Sequence, residues 1–234
     1  MSTQLSFDLP SRAALGRDDF FISPSNALAV VLIDTPESWN NGKLLLIGPK
    51  GAGKTHLAHV WAAQSGARII AANTLTEEDV PNLVQTPLVI EDVDHIAGDR
   101  TFETALFHLH NLAQAEGRAL LLTAKSQPHL WGLCLPDLAS RLQAVQSATL
   151  EAPDDTLLTA LLMKLFADRQ LNPAPDVIPF LALRIDRSFA AAQQIVEALD
   201  KAALDAGRAI TRAFASAALD KITDVSAHSD MPHE

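Results

Sequence analysis

The chain has 234 residues, 48% of them hydrophobic and 20% charged, with a formal charge of −10 at pH 7. Such values describe a globular polypeptide with one substantial core, or one core and a small satellite, and exclude a fibre or a wholly unstructured chain. The acidic balance argues against a broad nucleic-acid surface, because Lys and Arg neutralising phosphates supply most non-specific affinity.

No stretch approaches the roughly eighteen apolar residues of a membrane span, and no basic flank leads into an apolar run at the amino terminus. A cytoplasmic location without membrane contact is expected. Cys134 is the only cysteine; it rules out an internal disulfide and a cysteine-rich metal site, and reads as a small buried apolar side chain.

At the amino terminus, Gln4-Leu5-Ser6-Phe7-Asp8-Leu9-Pro10 alternates apolar and polar residues and is followed by a polar stretch to residue 19. The pattern fits an extended peptide on a tether, a short edge strand or a frayed terminus, and spacing alone leaves these open. Phe20 to Asn26 then leads into a helix over 27–33, started by a Ser25 or Asn26 cap.

An apolar strand over 43–47 runs directly into Gly48-Pro49-Lys50-Gly51-Ala52-Gly53-Lys54-Thr55. Strand, glycine-rich loop and helix in that order make a phosphate-binding P-loop: the glycines let successive N–H groups turn inward, Lys54 adds a cation, and the Thr55 hydroxyl can ligate Mg²⁺. The candidate nucleotide residues here are Gly48, Gly51, Ala52, Gly53, Lys54, Thr55 and His56.

Periodicity predicts a helix over 55–64 closed by Gly66, a strand over 68–71, and a strand over 88–90 ending in Glu91 and Asp92. A helix over 101–116, a strand over 119–123, a short helix over 136–141 and a last strand over 144–150 follow. Alternation of strands with helices predicts a parallel sheet covered on both faces. Beyond Pro153 the pattern is helical only, over 156–168, 177–183, 188–206 and 211–220, and the polar segment 226–234 is expected to be disordered.

Acids at the carboxyl end of the third strand are the second chemical element. In P-loop proteins one carboxylate meets the Mg²⁺ shell beside the loop threonine and another orients water. Glu91 and Asp92 fit those roles, as catalytic residues and, with Thr55, as metal ligands. Asp94, two residues on in an extended segment, is expected to point elsewhere. His108 and His110 read as members of an ordinary amphipathic helix, and Trp61 and Trp131 as packing residues.

The order of these parts resembles the AAA+ ATPases, in the branch of the bacterial replication initiator DnaA. Phe21, Ile22 and the following residues to Asn26 are similar to the segment that packs on adenine in that branch. Residues 88–98 resemble its Walker B region, and Leu135-Pro136-Asp137-Leu138-Ala139-Ser140-Arg141-Leu142 resembles the box that carries its arginine finger, which falls on Arg141. Arg187 sits where the branch has its sensor II arginine. The resemblance runs from Gln4 to about Asp220 and implies an α/β P-loop AAA+ core with a helix-flanked parallel sheet over 20–152, a small all-α lid over 153–225, and a tether over 1–19.

Within the branch, the chain is similar to regulators that inactivate DnaA on the sliding clamp. That likeness implies that Gln4, Leu5, Phe7 and Leu9 seat in a groove of the DNA polymerase III β sliding clamp. It further implies that ADP or ATP with Mg²⁺ occupies the P-loop, and that Arg141 enters the ATP site of a DnaA protomer. The initiator's DNA-binding domain would follow the lid, where this sequence stops, so sequence-specific DNA binding is not expected.

Two positions depart from the branch pattern. Glu91 stands where aspartate is common, and Thr123-Ala124-Lys125 brings no acid to the sensor I position; both imply weak or absent hydrolysis by the chain itself. A recruiting module that does not stimulate hydrolysis and an autonomous P-loop ATPase or kinase are the alternatives. The oligomeric state, self-assembly included, is left open.

Overall fold

A computed structural model of the chain describes residues 22–229. Five parallel strands form its sheet: β1 (Lys43–Ile47), β2 (Arg68–Ala71), β3 (Leu88–Glu91), β4 (Leu120–Ala124) and β5 (Gln146–Thr149), in the order β2-β3-β4-β1-β5. β1 pairs with β4 on one side (Leu45 opposite Leu122) and with β5 on the other (Leu45 opposite Ser147).

All five residues of β1 and all five of β4 are buried, as expected of strands covered on both faces. Alternation along β1 divides the interior. Leu45 and Ile47 face one apolar cluster with Ile90 and Leu122, whereas Leu44 and Leu46 face another with Val89 and Leu121. Each such leucine contributes about 1.5–3 kcal/mol through burial.

On the second face pack α1 (Ala27–Asp34) and α2 (Lys54–Ser65) through Val30, Ile33, Leu57 and Trp61. Trp61 meets the Trp39 ring at 5.0 Å between centroids, which gives it the expected packing role. Gly66 closes α2 at φ +71° and donates its N–H to Ala62 O. The expected cap of α1 is not formed by either candidate: Asn26 sits at the cap position, but its Oδ1 accepts from Ser23 N–H, behind the helix rather than inside it.

The first face carries α3 (Val80–Leu83), α4 (Arg100–Ala115) and α5 (Pro136–Gln143). α3 is a single turn that periodicity cannot reveal. α4 starts where Asp99 accepts from Thr101 N–H, and α5 buries Leu138 and Leu142, leaving Arg141 on its outer side.

The carboxyl-terminal helices are α6 (Asp155–Asp168), α7 (Val177–Ala182), α8 (Phe189–Ala206) and α9 (Arg212–Ser229). They share their own apolar cluster, to which α8 supplies Ala192, Ile195, Val196 and Leu199 at helical spacing. α9 continues nine residues past the expected stop at 220, so 226–229 are helical rather than disordered. Residues 230–234 lie outside the described residues.

Candidate nucleotide-binding site

Close packing and backbone sign explain the loop after β1. A Cβ on Gly48 would stand 2.3 Å from Leu150 O, so only glycine lets β1 leave the sheet beside the end of β5. Gly51 and Gly53 take φ of +80° and +100°, a region open to glycine at little cost. α2 begins immediately at Lys54, whose Nζ donates to Gly48 O at 2.7 Å and to Pro49 O at 3.0 Å. Burial pushes the Lys54 ammonium below its ordinary pKa, and the neighbouring carboxylates of Asp92 and Asp94 oppose that shift.

A cavity of about 560 Å³ opens in front of this loop, within the range of small-ligand sites. Its wall brings together Gly51, Gly53, Lys54, Thr55 and His56 with Asp92, His95 and Lys125. The lid supplies Phe189, Ala190 and Gln193. Lid and loop are in contact, for Phe189 N–H donates to Gly51 O at 2.8 Å.

Beyond β3 the chain corrects one expectation. Asp92 takes φ +56° and 93–96 wind into a tight turn, so the segment is not extended and Asp94 folds back to the site. Ligating atoms of Asp92, Asp94 and His95 lie within 4.8 Å of one another. Lys125 N–H donates to Asp94 Oδ2 at 3.1 Å, while Asp94 Oδ1 is buried without a hydrogen-bond partner. Carboxylate and hydroxyl oxygens are the donors Mg²⁺ prefers, and an orphaned carboxylate oxygen suits a cation, so Asp92 and Asp94 fit the metal, with the Thr55 hydroxyl on the same cavity wall as Asp92.

Glu91 is outside that group and off the cavity wall, with its Oε1 buried and unpartnered. The left-handed backbone of Asp92 is what turns Asp94 back, and no residue pattern in the sequence marks it.

Other expected ligands stand further away. Ile22 is exposed, Asn26 is buried and bonded to Ser23, and neither lines the cavity. Phe21, like Gln4, Leu5, Phe7 and Leu9, lies outside the described residues. Arg187 does not line the cavity, and its Nη2 meets Asp155 Oδ1 at 2.8 Å. Its neighbour Ser188 faces the loop instead, 2.5 Å from where a Cβ on Gly51 would be, and caps α8 by accepting from Ala191 N–H.

Arg141 stands apart from its own cavity. Its guanidinium lies over the Phe107 ring, Cζ 5.3 Å from the centroid, and among the described residues it has no carboxylate partner. Behind it sits a buried pair of bases. Lys43 Nζ donates to Gln114 Oε1 at 2.8 Å and is 3.3 Å from His110 Nδ1.

Desolvation lowers the Lys43 pKa to about 8, with help from the Arg141 charge. It lowers that of His110 to about 4, with Lys43 and Arg141 adding to the effect. His110 thus has a polar partner as well as its place on an amphipathic helix, and His108 stays exposed near Glu77. Cys134 is exposed, not buried as expected.

No protein-family model matches the chain. Sheet order, P-loop and helical lid define an AAA+-like α/β fold, and solved structures agree. Domain III of the Thermotoga maritima replication initiation protein DnaA superposes with a TM-score of 0.75 at 21% identity, covering 88% of this chain and 96% of that one. AMPPCP-bound DnaA from Aquifex aeolicus gives 0.66 at 17%, over 77% of this chain and 63% of that one. A point mutant of Thermotoga maritima RuvB gives 0.67 at 16%, over 84% of this chain and 68% of that one. At these identities the likeness defines the fold. Among the described residues, no helix is long and apolar enough to cross a membrane.

Proposed function

We propose that the chain is a regulator of replication initiation of the Hda type, a nucleotide-bound protein, tethered to the β sliding clamp, that promotes hydrolysis of DnaA-bound ATP by inserting Arg141 in trans. The carrying observation is the state of Arg141. It is exposed, rests on an aromatic face, has no carboxylate partner among the described residues and lies off its own nucleotide cavity. A guanidinium committed to a local ion pair would have to break it before reaching another protomer, and among the described residues Arg141 has none to break. Presented to a transferring phosphoryl group, it neutralises charge that develops mainly in the transition state.

The P-loop cavity supports ADP or ATP as resident ligand, with Mg²⁺ at Asp92, Asp94 and Thr55. Glu91 off the cavity wall supports weak or absent turnover by the chain itself, which makes the bound nucleotide a switch rather than a fuel. Gln4, Leu5, Phe7 and Leu9 supply the tether, burying about 1.5–3 kcal/mol per apolar side chain in the clamp groove before ordering costs.

The test is conversion of DnaA-bound ATP to ADP on clamp-loaded DNA, with and without this protein. Acceleration is expected, and Gln4→Ala with Leu5→Ala should abolish it while leaving the melting temperature unchanged. No acceleration by the intact protein, at concentrations where it binds both clamp and DnaA, contradicts the reading.

A further inference from the structure

Glu103, in the first turn of α4, is fully buried. A solvent-excluded carboxylate persists only if its oxygens are satisfied, and here backbone amides do so. Oε1 accepts from Gly98 N–H at 2.8 Å and from Cys134 N–H at 3.0 Å, and Oε2 accepts from Leu135 N–H at 2.8 Å.

The two loops joined by this one side chain lead to different places. Gly98 follows the turn that carries Asp92 and His95, which line the phosphate cavity, and Asp94 beside them. Cys134 and Leu135 are the residues that enter α5, on which Arg141 sits. Two more bonds hold the other end of the turn: Asp92 N–H donates to Thr123 Oγ1, at the end of β4, at 3.0 Å, and Lys125 N–H, in the loop that follows, donates to Asp94 Oδ2 at 3.1 Å. The connection from β3 to α4 is therefore fixed to the connection from β4 to α5 near the cavity and again at the start of the finger helix.

We infer that Glu103 is a positioning residue that makes the placement of α5, and with it Arg141, follow the occupancy of the chain's own phosphate site. A shift of the 92–98 turn when nucleotide engages Asp92 moves Gly98 N–H, and the shared carboxylate passes that movement to Cys134 and Leu135. From Leu135 to Arg141 the helix adds about 9 Å of rigid lever. The coupling rests on the nucleotide reading above, and gives the resident ADP a route to the finger.

The knot contains its own reporter. Cys134 is the single cysteine of the chain and is exposed, with Sγ 3.6 Å from Gly98 O. Its rate of reaction with a small disulfide reagent is measured with and without Mg²⁺-ADP in the intact protein, in Lys54→Ala and in Glu103→Gln, with ADP binding followed by thermal shift. Glutamine keeps the size of Glu103 but has one acceptor oxygen in place of two, so its NH₂ faces at least one of the three backbone N–H groups and the bridge is broken on the Gly98–Cys134 side or the Leu135 side.

In the intact protein ADP should slow labelling by about fivefold or more, the scale of an ordinary coupling between sites. Glu103→Gln should bind ADP and lose that response. An intact protein that binds ADP without any change at Cys134, or a Glu103→Gln protein that keeps the full response, overturns the coupling and leaves nucleotide binding standing. Absence of an ADP thermal shift removes the nucleotide reading and the coupling with it. If Glu103→Gln does not fold, hydrogen exchange at Gly98, Cys134 and Leu135 in the intact protein decides: slowing together with ADP supports the coupling, and unchanged rates overturn it.

Discussion

Ser188 and Gly51 are in such close contact that a single added carbon on the glycine would fall 2.5 Å from Ser188 Cβ. That contact joins the first turn of α8 to the P-loop, and the Phe189 N–H bond to Gly51 O lies beside it. Gly51→Ala should therefore cost stability twice, through the clash and through a side chain at φ +80°, in the range of about 1–3 kcal/mol for a strained backbone position. Ser188→Gly in the same protein relieves the clash alone. Urea denaturation of the two single variants and the double should show less than additive loss, and strict additivity would mean that lid and loop do not touch in solution.

The proposed nucleotide site has Lys54 at the phosphates, so ADP should stabilise the protein through it. At a hundred times the dissociation constant a single-site ligand adds about 2.7 kcal/mol. Thermal shift with Mg²⁺-ADP should raise the melting temperature of the intact protein and leave Lys54→Ala unmoved. An equal rise in both would place the ligand away from this loop.

Much of this site was legible in the residues. The strands over Lys43–Ile47 and Arg68–Ala71 match their expected ranges because apolar runs bounded by Gly, Pro or polar residues leave little choice. Asp94 was not legible, since its position depends on Asp92 adopting a left-handed backbone that alternation rules assume away.

Contacts between residues far apart in the chain were equally hidden. Lys43 and His110 are separated by 67 positions, and Arg187 finds Asp155 across the lid. Cys134 looked like a core residue between two leucines. Instead the backbone there is bound by the Glu103 carboxylate, and the thiol is turned outward.

The Lys43 and His110 pair makes stability depend on pH in a defined direction. Lys43 titrates near 8 in the folded chain against an ordinary 10.5, so between those values the unfolded chain holds a proton that the folded chain has released. Stability then rises with pH across that window, by no more than about 3 kcal/mol. His110, lowered to about 4 from 6.5, gives a fall in stability as pH drops from 6.5 toward 4.

Tyrosine is absent from the sequence and cannot confuse the alkaline limb. Lys54, shifted the same way by burial, is present in both proteins compared. Denaturation between pH 8 and 10.5 should show a gain in the intact protein that is clearly smaller in Lys43→Met; equal gains would contradict the assignment.

The trans-acting role proposed for Arg141 is read from the fate of DnaA-bound ATP. The rate at which DnaA-bound ATP becomes ADP on clamp-loaded DNA is followed with the intact protein, Arg141→Ala and Arg141→Lys, while ADP binding and clamp binding are measured on the same preparations. Arginine fingers in related GTPases are worth about 10³ to 10⁵ in rate, and lysine lacks the planar fork of donors. Arg141→Ala should keep its fold, its ADP and its clamp complex and lose the acceleration, with Arg141→Lys restoring little of it. If Arg141→Ala accelerates the conversion as the intact protein does, the trans-acting arginine is refuted.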